Sequence, residues 1–138
     1  MNLPKYEDIT DGYEIPSLTK EPITQLQLVR YAGASGDFNP IHTIEANAKE
    51  AGLDGTIAHG MLVMGMLGQA ITNWAGIMNV KSYSATFKTM TKPGDVLTAK
   101  GTVRKKYENE NGKFADCKFS IEDQKGEVKV DAKVTVKF

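Results

Sequence analysis

The sequence of 138 residues predicts an α+β domain in which an antiparallel sheet wraps around one long central helix. Three observations support this fold class. Helical and loop patterns fill the first part of the chain, a nearly continuous apolar stretch follows at residues 60–74, and the remainder alternates between apolar and polar residues. A sheet with one apolar face needs a covering layer, which the apolar stretch can supply. Because no repeat or linker interrupts the chain, we expect a single domain over residues 1–138.

Residues 1–22 contain three prolines, which indicates an extended arm with a short strand near Tyr13–Leu18. Thr24 and Gln27 then match the capping-box pattern, in which each side chain satisfies an exposed backbone N–H at the other position. A first helix is therefore expected to begin at Thr24 and to end at Gly33–Gly36. Its predicted apolar face consists of Ile23, Leu26, Val29 and Gly33.

A second, shorter helix is predicted from Ile44 to Ala51, with Thr43 as its N-cap. Ile44, Ala48 and Ala51 fall on one face of this helix. Gly52 suits the position after its end, because glycine readily adopts the left-handed backbone conformation found there.

The apolar stretch predicts a third helix, from Gly60 to Trp74, that is buried on most sides. Gly65 and Gly68 would let a neighbouring backbone approach this helix closely. Polar residues interrupt the stretch, and no basic residue flanks its N-terminal side. We therefore interpret it as a core helix rather than a membrane span.

Four strands are predicted after this helix, each with one apolar and one polar face. Turn signals separate them at Pro93–Gly94, at the hairpin sequence Asn111–Gly112 and at residues 124–126. Lys129 is expected on the polar face of the last strand. The apolar positions are, in chain order, Tyr83, Ala85 and Phe87; Leu97, Ala99, Gly101 and Val103; Ala115, Cys117, Phe119 and Ile121; and Val128, Val130, Ala132, Val134 and Val136.

The composition is that of an ordinary globular protein and argues against several classes of partner. Lys plus Arg and Asp plus Glu each total 17, so no basic excess indicates binding to nucleic acid or to an anionic membrane. Cys117 is the single cysteine, and the N-terminus lacks the pattern of a signal peptide, so we expect a cytoplasmic protein. His59 and Cys117 lack the spacing of metal ligands, and we expect neither a metal nor another cofactor.

The segment from Gly36 to His42 is the first candidate for chemistry. Asp37 and His42 flank a turn that contains Asn39 and Pro40, and a carboxylate and an imidazole on one tight turn can hold a water molecule between them. The unperturbed pKa of histidine lies near neutrality, which suits proton transfer. Asp, Asn and Pro are also ordinary turn formers, so the residues alone leave a purely structural interpretation open.

The second candidate is the start of the apolar helix, at Ile57-Ala58-His59-Gly60. The first N–H groups of a helix lack partners inside it and carry partial positive charge. Gly60 has no side chain to block a ligand, so its N–H could meet an oxyanion that develops on a carbonyl. The alternative interpretation is that His59 and Gly60 form a tight turn into a core helix.

Together these two segments resemble the hydratase 2 motif and the central-helix start of the MaoC-like dehydratase and (R)-specific enoyl-CoA hydratase family. The similarity covers residues 24–138 and is close to the catalytic subunits of (3R)-hydroxyacyl-thioester dehydratases. The most specific part is the string Gly36-Asp37-Phe38-Asn39-Pro40-Ile41-His42, and the second part is Ile57-Ala58-His59-Gly60-Met61-Leu62.

The resemblance implies a hot-dog fold and a lyase that interconverts trans-2-enoyl and (3R)-3-hydroxyacyl thioesters. It implies that Asp37 and His42 bind and activate the water, that Asn39 helps to position it, and that the backbone N–H of Gly60 holds the thioester oxygen. It also implies an acyl-CoA or acyl carrier protein thioester as substrate. A homodimer with sheets joined edge to edge is expected, or a heterodimer with a second hot-dog chain.

Two other functions remain open at this level, because one fold hosts many activities. The first is a hot-dog acyl-CoA thioesterase, against which the Asp-x-Asn-Pro-x-His string argues. The second is a non-catalytic acyl-thioester-binding subunit of a heterodimer. An intact pair of Asp37 and His42 argues against that subunit, because binding alone needs no water-activating groups.

Overall fold

The computed structural model describes residues 3–138. Its strands form one antiparallel sheet, and its longest helix contacts all five of them, which confirms the predicted α+β class and the wrapped helix. The strands are Glu14–Thr19 (β1), Val80–Phe87 (β2), Thr98–Asn109 (β3), Gly112–Glu122 (β4) and Val128–Lys137 (β5), in the order β1-β3-β4-β5-β2. The helices are Gln25–Ser35 (α1), Glu45–Glu50 (α2) and Gly60–Ala75 (α3), with short 3₁₀ turns at Tyr6–Asp8, Pro40–His42 and Ile77–Asn79.

The core lies between the concave face of the sheet and α3. Alternation along β3, β4 and β5 places the predicted apolar residues inside, and Val103, Phe119 and Val134 are almost fully buried. Gly101 must be glycine here, because a Cβ atom at this position would lie 2.4 Å from Cε1 of the Phe119 ring.

Lys129 departs from the predicted alternation. The alternation predicts that Lys129 lies on the polar, solvent-exposed face of β5, but only 4% of the residue is exposed. The register between β4 and β5 shifts after Ile121, and the Lys129 ammonium is enclosed by the carboxylates of Asp123 and Glu127 at 3.1 and 2.7 Å. A buried cation is tolerated at this position because two carboxylates compensate its charge.

Helix α1 begins and ends as predicted, but of its predicted apolar face only Ile23, which precedes the helix, is buried. The hydroxyl of Thr24 accepts a hydrogen bond from the Gln27 backbone N–H at 3.1 Å, and Gly36 ends the helix with φ of 75°. Leu26 and Val29 are exposed, because the face of the helix that packs against the core carries Leu28 and Ala32 instead. These residues are four positions apart and therefore lie on one face.

Helix α2 is shorter than predicted, and Thr43 is not its N-cap. Ile44 occupies that position, and no side chain among the described residues caps the helix. Thr43 belongs instead to the preceding 3₁₀ turn, where its N–H donates to the Pro40 carbonyl at 3.1 Å. Of the predicted apolar face only Ala48 is buried. Gly52 follows the helix with a φ of 85°, as expected.

Helix α3 is buried on most sides, as the sequence predicts, and one stripe along it is exposed. Met61, Gly65 and Gln69 form an exposed stripe at four-residue spacing. Neither glycine admits a neighbouring backbone: Gly65 faces open space, and Gly68 packs against the ring of Tyr83. No helix within residues 3–138 combines the length and the apolar character needed to cross a membrane.

Candidate active site

The segment after α1 is held by a series of local hydrogen bonds, in each of which a side-chain oxygen accepts from the backbone N–H two residues further along. The hydroxyl of Ser35 accepts from the Asp37 N–H at 3.1 Å. Asp37 Oδ1 in turn accepts from the Asn39 N–H, and Asn39 Oδ1 accepts from the Ile41 N–H, each at 3.2 Å. Such bonds favour turns over continued helix, which is why the chain leaves α1 here and folds back.

One hydrogen bond fixes the orientation of the His42 ring. Its Nδ1 lies 2.7 Å from the carbonyl oxygen of Ile57, and a carbonyl can only accept, so Nδ1 carries the proton. The other nitrogen, Nε2, points toward the Asp37 carboxylate and lies 3.9 Å from its Oδ2. That separation is too long for a direct hydrogen bond but suits a water molecule about 2.8 Å from each atom. His42 is buried, whereas about half of the Asp37 side chain is exposed.

The backbone of His42 is held from the other side by α1. The side-chain amide of Gln25 donates to the His42 carbonyl at 2.9 Å. The hydroxyl of Thr56 donates to the same Gln25 amide oxygen. Because Thr56 directly precedes Ile57, these bonds tie the first turn of α1 to both partners of the His42–Ile57 hydrogen bond.

Gly60 is the first residue of α3, as the sequence predicts. A Cβ atom at this position would lie 3.1 Å from Cε1 and 3.2 Å from Cδ1 of the Phe87 ring. The glycine therefore serves the close packing of Phe87 as well as leaving the helix start open. The first N–H groups of α3 lack partners inside the helix and form its positive end.

A cavity of about 600 Å³ brings His42 and Gly60 together. Asp37 and Asn39 do not line the cavity. Asp37 lies next to it, because its Oδ2 is 3.9 Å from Nε2 of His42, which does line it. Asn39 uses its amide oxygen to hold the turn. The cavity is lined by His42, Ile57, Ala58, Gly60, Val63, the segment 87–92, Glu127, Lys129 and Val130.

The segment 87–92 is fixed to both sides of the cavity. The Thr91 carbonyl accepts from the Ala58 N–H at 2.8 Å, next to the start of α3. On the opposite side, the Lys129 ammonium donates to the Met90 carbonyl at 2.9 Å, and the Thr89 hydroxyl donates to the Val128 carbonyl at 2.8 Å. These contacts join residues far apart in the chain, so no local pattern could reveal them.

His59 is a second residue whose place in the site was missed. Its position before Gly60 predicts only a tight turn, but its ring is buried and lies against that of His42, with centroids 3.9 Å apart. Its Nε2 lies 3.1 Å from the Asp37 carbonyl oxygen. His59 therefore contacts both Asp37 and His42 and is covalently bonded to Gly60, the first residue of α3.

Asp37, His42 and His59 are also the group closest to a metal-ligand set, with one donor atom of each within 4.8 Å of the others. The two imidazoles are stacked, with centroids 3.9 Å apart and 24° between their planes, so their lone pairs lie in two separate, nearly parallel planes and do not converge on one ion. Cys117 does not contribute, because it lies in the core, where burial and the Asp116 charge raise the pKa of its thiol to about 12.

Comparison with known proteins identifies relatives that match most of the chain. The family described as MaoC like domain matches residues 13–124. An (R)-specific enoyl-CoA hydratase from Rhodospirillum rubrum is 35% identical over 101 residues, which cover 71% of this chain and 68% of that protein. Fatty acid synthase subunit beta from Aspergillus oryzae is 39% identical over 74 residues. That match covers 51% of this chain but only 4% of the synthase subunit.

Among solved structures, R-hydratase PhaJ1 from Pseudomonas aeruginosa superposes with a TM-score of 0.82 at 25% identity. The alignment covers 96% of this chain and 83% of that one. The family match spans most of the chain, and the hot-dog architecture agrees with it. The chain belongs to the MaoC-like domain family.

Proposed function

We propose that this protein is a hydro-lyase that interconverts trans-2-enoyl thioesters and (3R)-3-hydroxyacyl thioesters. The observation that carries the proposal is the position of His42 Nε2, which faces the Asp37 carboxylate at 3.9 Å on the edge of a cavity that also contains the start of α3. Similarity to an (R)-specific enoyl-CoA hydratase supports the same reaction class.

In the hydration direction, Asp37 and His42 hold one water molecule between Oδ2 and Nε2. The water oxygen bonds to the β-carbon, the pair takes up one water proton, and a proton is delivered to the α-carbon, so that H and OH add across the double bond. The negative charge that builds on the thioester oxygen meets the Gly60 N–H and the positive end of α3. Elimination of water from the hydroxyacyl thioester uses the same groups in reverse.

Asn39 has a supporting role in this proposal. Its amide oxygen already accepts from Ile41, so its remaining side-chain group is the NH₂ donor, which can bond to the water or to Asp37. The turn that Asn39 holds also sets the spacing between Asp37 and His42. Asn39 therefore contributes to the site through both geometry and hydrogen bonding.

A spectrophotometric assay with a short trans-2-enoyl-CoA tests the reaction and the two residues together. The wild-type protein should consume the enoyl chromophore. Asp37→Asn and His42→Ala should each lower turnover at least ~100-fold, the lower range for a lost acid or base. Asp8→Asn, which changes an exposed carboxylate on the N-terminal arm, is the matched control and should leave turnover unchanged.

The same assay separates the rival functions. Activity that survives both site substitutions would overturn the residue assignment. Release of free CoA from a saturated acyl-CoA without hydration would favour a thioesterase, and binding of enoyl-CoA without either reaction would favour a non-catalytic subunit. Parallel assays with acyl-CoA and with acyl carrier protein thioesters of increasing chain length identify the carrier and the acyl group.

We also infer that the protein acts as a dimer, either with a second copy of itself or with a second hot-dog chain. Strand β2 lies at one edge of the sheet, where an unpaired strand can accept a partner strand. Exposed apolar side chains lie at both of its ends, with Ile77 and Met78 just before it and Phe87 at its last position. Light scattering on the purified protein should give twice the chain mass for a homodimer.

The remaining expectations concern the domain and the compartment. We propose that residues 1–138 act as one MaoC-like hot-dog domain, which the single sheet and shared core support. We also propose a cytoplasmic location, because the single buried cysteine needs no oxidising environment. Limited proteolysis that yields one resistant fragment, and fractionation of the source cells, test these two statements.

A further inference from the structure

His59 is the most completely buried ionisable side chain near the site, with 1% of the residue exposed. It does not line the cavity, so it is not placed to touch a substrate there. Its surroundings are nevertheless those of the reacting groups rather than of the apolar core. It contacts Asp37, His42 and Tyr31, and it directly precedes Gly60.

The hydrogen bond to Asp37 determines which tautomer His59 adopts. Its Nε2 donates to the Asp37 carbonyl at 3.1 Å, because the carbonyl oxygen can only accept. Its Nδ1 is buried and has no hydrogen-bond partner within residues 3–138. A buried polar atom without a partner costs free energy, so a residue chosen only to fill this space would be apolar.

The ring of His59 is held between two others. The His42 ring stacks on it at 3.9 Å, and the Tyr31 ring meets it edge to face at 4.8 Å. Tyr31 belongs to α1, which the Asp37 turn follows, and His42 belongs to the 3₁₀ turn. The imidazole therefore sets the distance between the elements that carry the acid/base pair.

The backbone of His59 performs a similar task for the third part of the site. His59 is the N-cap of α3, and its carbonyl accepts from the N–H groups of Leu62 and Val63 at 3.1 and 3.4 Å. A movement of His59 therefore also moves the N–H of Gly60. His59 alone thus contacts the backbone of Asp37 and the imidazole of His42, and it caps the start of α3.

We propose that His59 is the positioning residue that fixes the Asp37–His42 pair relative to the Gly60 N–H. Its side chain acts through two separable contacts, the Nε2–H donated to Asp37 and the ring face offered to His42. This role rests on the proposed hydro-lyase function. It predicts an effect on turnover rather than on substrate binding, because His59 lies outside the cavity lining.

Three substitutions separate the two contacts. His59→Gln keeps an amide donor near the position of Nε2 but loses the ring, and His59→Phe keeps the ring but loses the donor. His59→Leu loses both. We expect kcat to fall about 10-fold for Gln and Phe and about 100-fold for Leu, with KM within about threefold of wild type, because misplacement by about 1 Å costs that much.

The control is Val136→Ala, which removes a fully buried core side chain in β5 whose cross-strand partners, Val80 and Ala115, do not line the cavity. Melting curves identify the assay temperature at which every variant is folded. If His59→Leu does not fold, the Gln and Phe variants carry the test. A kcat within threefold of wild type in folded variants, or a change in KM alone, would overturn the proposal.

A spectroscopic readout tests the positioning role independently of activity. The chain contains only two histidines, so ¹⁵N labelling of histidine gives two imidazoles, and one disappears in each His59 variant. Wild-type His42 should show a single Nδ1–H tautomer, and His59→Leu should shift it toward a mixture. An unchanged His42 spectrum would overturn the role of His59, whereas absence of hydratase activity in wild type would overturn only the proposed function.

Discussion

The carbonyl oxygen of Ile57 accepts the Nδ1 proton of His42 at 2.7 Å, and this bond decides which nitrogen faces Asp37. Ile57 lies in the segment leading into α3, fifteen residues beyond His42. The acid/base pair and the helix start are therefore joined by a hydrogen bond as well as by the shared cavity.

This relationship predicts a difference between two substitutions of His42. In His42→Asn the amide donor replaces Nδ1 and keeps the bond to Ile57, but nothing replaces Nε2. We expect turnover to fall at least ~100-fold while stability changes by less than about 1 kcal/mol. His42→Leu should lose the same activity, and its free energy of unfolding should fall by a further 1–3 kcal/mol, roughly, because the Ile57 carbonyl is left without its hydrogen-bond partner. Urea unfolding and the enoyl assay measure both effects, and equal stability of the two variants would contradict the prediction.

The contact between Gly60 and Phe87 makes a second prediction. In Gly60→Ala the new methyl group meets the Phe87 ring at about 3.1 Å, so the ring or the start of α3 must move. We expect kcat to fall by roughly 10- to 100-fold, because the N–H donor leaves its place. Addition of Phe87→Leu should restore part of the loss.

The matched control is Gly33→Ala in α1, where a methyl group meets nothing within 4 Å. Alanine is favoured over glycine in a helix by about 0.8–1.0 kcal/mol, so this variant should be more stable and equally active. A Gly60→Ala variant as active as Gly33→Ala would show that the helix start tolerates displacement.

Sequence patterns predicted the sheet well because its alternation has a strict period of two. One face of β4 and β5 is buried along most of its length, and that of β3 is buried from Ala99 to Val103, so most apolar residues there report their own environment. Helix α1 gave a weaker signal. Leu26 and Val29 are apolar but exposed, and their spacing alone does not distinguish them from core residues.

The candidate site was predictable where its residues are adjacent in sequence. Asp37, Asn39 and His42 lie on one turn, and Gly60 stands at a recognisable helix start. The environment of Lys129 and the packing of His59 depend on residues brought together by folding. His59 carried a local signal in its position before Gly60, but its contacts with Tyr31 and Asp37 span 28 and 22 residues.

Lys129 provides a third prediction, which concerns stability. Its ammonium bonds to Asp123, Glu127 and the Met90 carbonyl, and only 4% of the side chain is exposed. Lys129→Met leaves the buried Asp123 carboxylate uncompensated and should cost about 3–5 kcal/mol. Lys125→Met, an exposed neighbour, should change stability by less than about 0.5 kcal/mol.

Pairing the two changes tests whether the loss comes from the unpaired charge. Asp123→Asn combined with Lys129→Met removes both ions, so the double variant should be more stable than Lys129→Met alone. Denaturant unfolding of the four proteins in this cycle measures the coupling. Strict additivity would mean that the two groups do not interact.

The same pair predicts how stability depends on pH. Burial raises the pKa of Asp123, but N–H bonds from Glu127 and Lys125 and the Lys129 ammonium outweigh it and hold that pKa below its ordinary value of 3.8. A carboxyl group with a lowered folded-state pKa stabilises the fold above its unfolded pKa, and loses this effect as pH falls through the folded value. The free-energy difference between wild type and Asp123→Asn should therefore be constant from neutral pH to about pH 5 and shrink below about pH 4. Urea titrations across this range measure the difference. If it persisted unchanged into acid, the Asp123 charge would not be what stabilises the turn, and its hydrogen bonds alone would account for the effect.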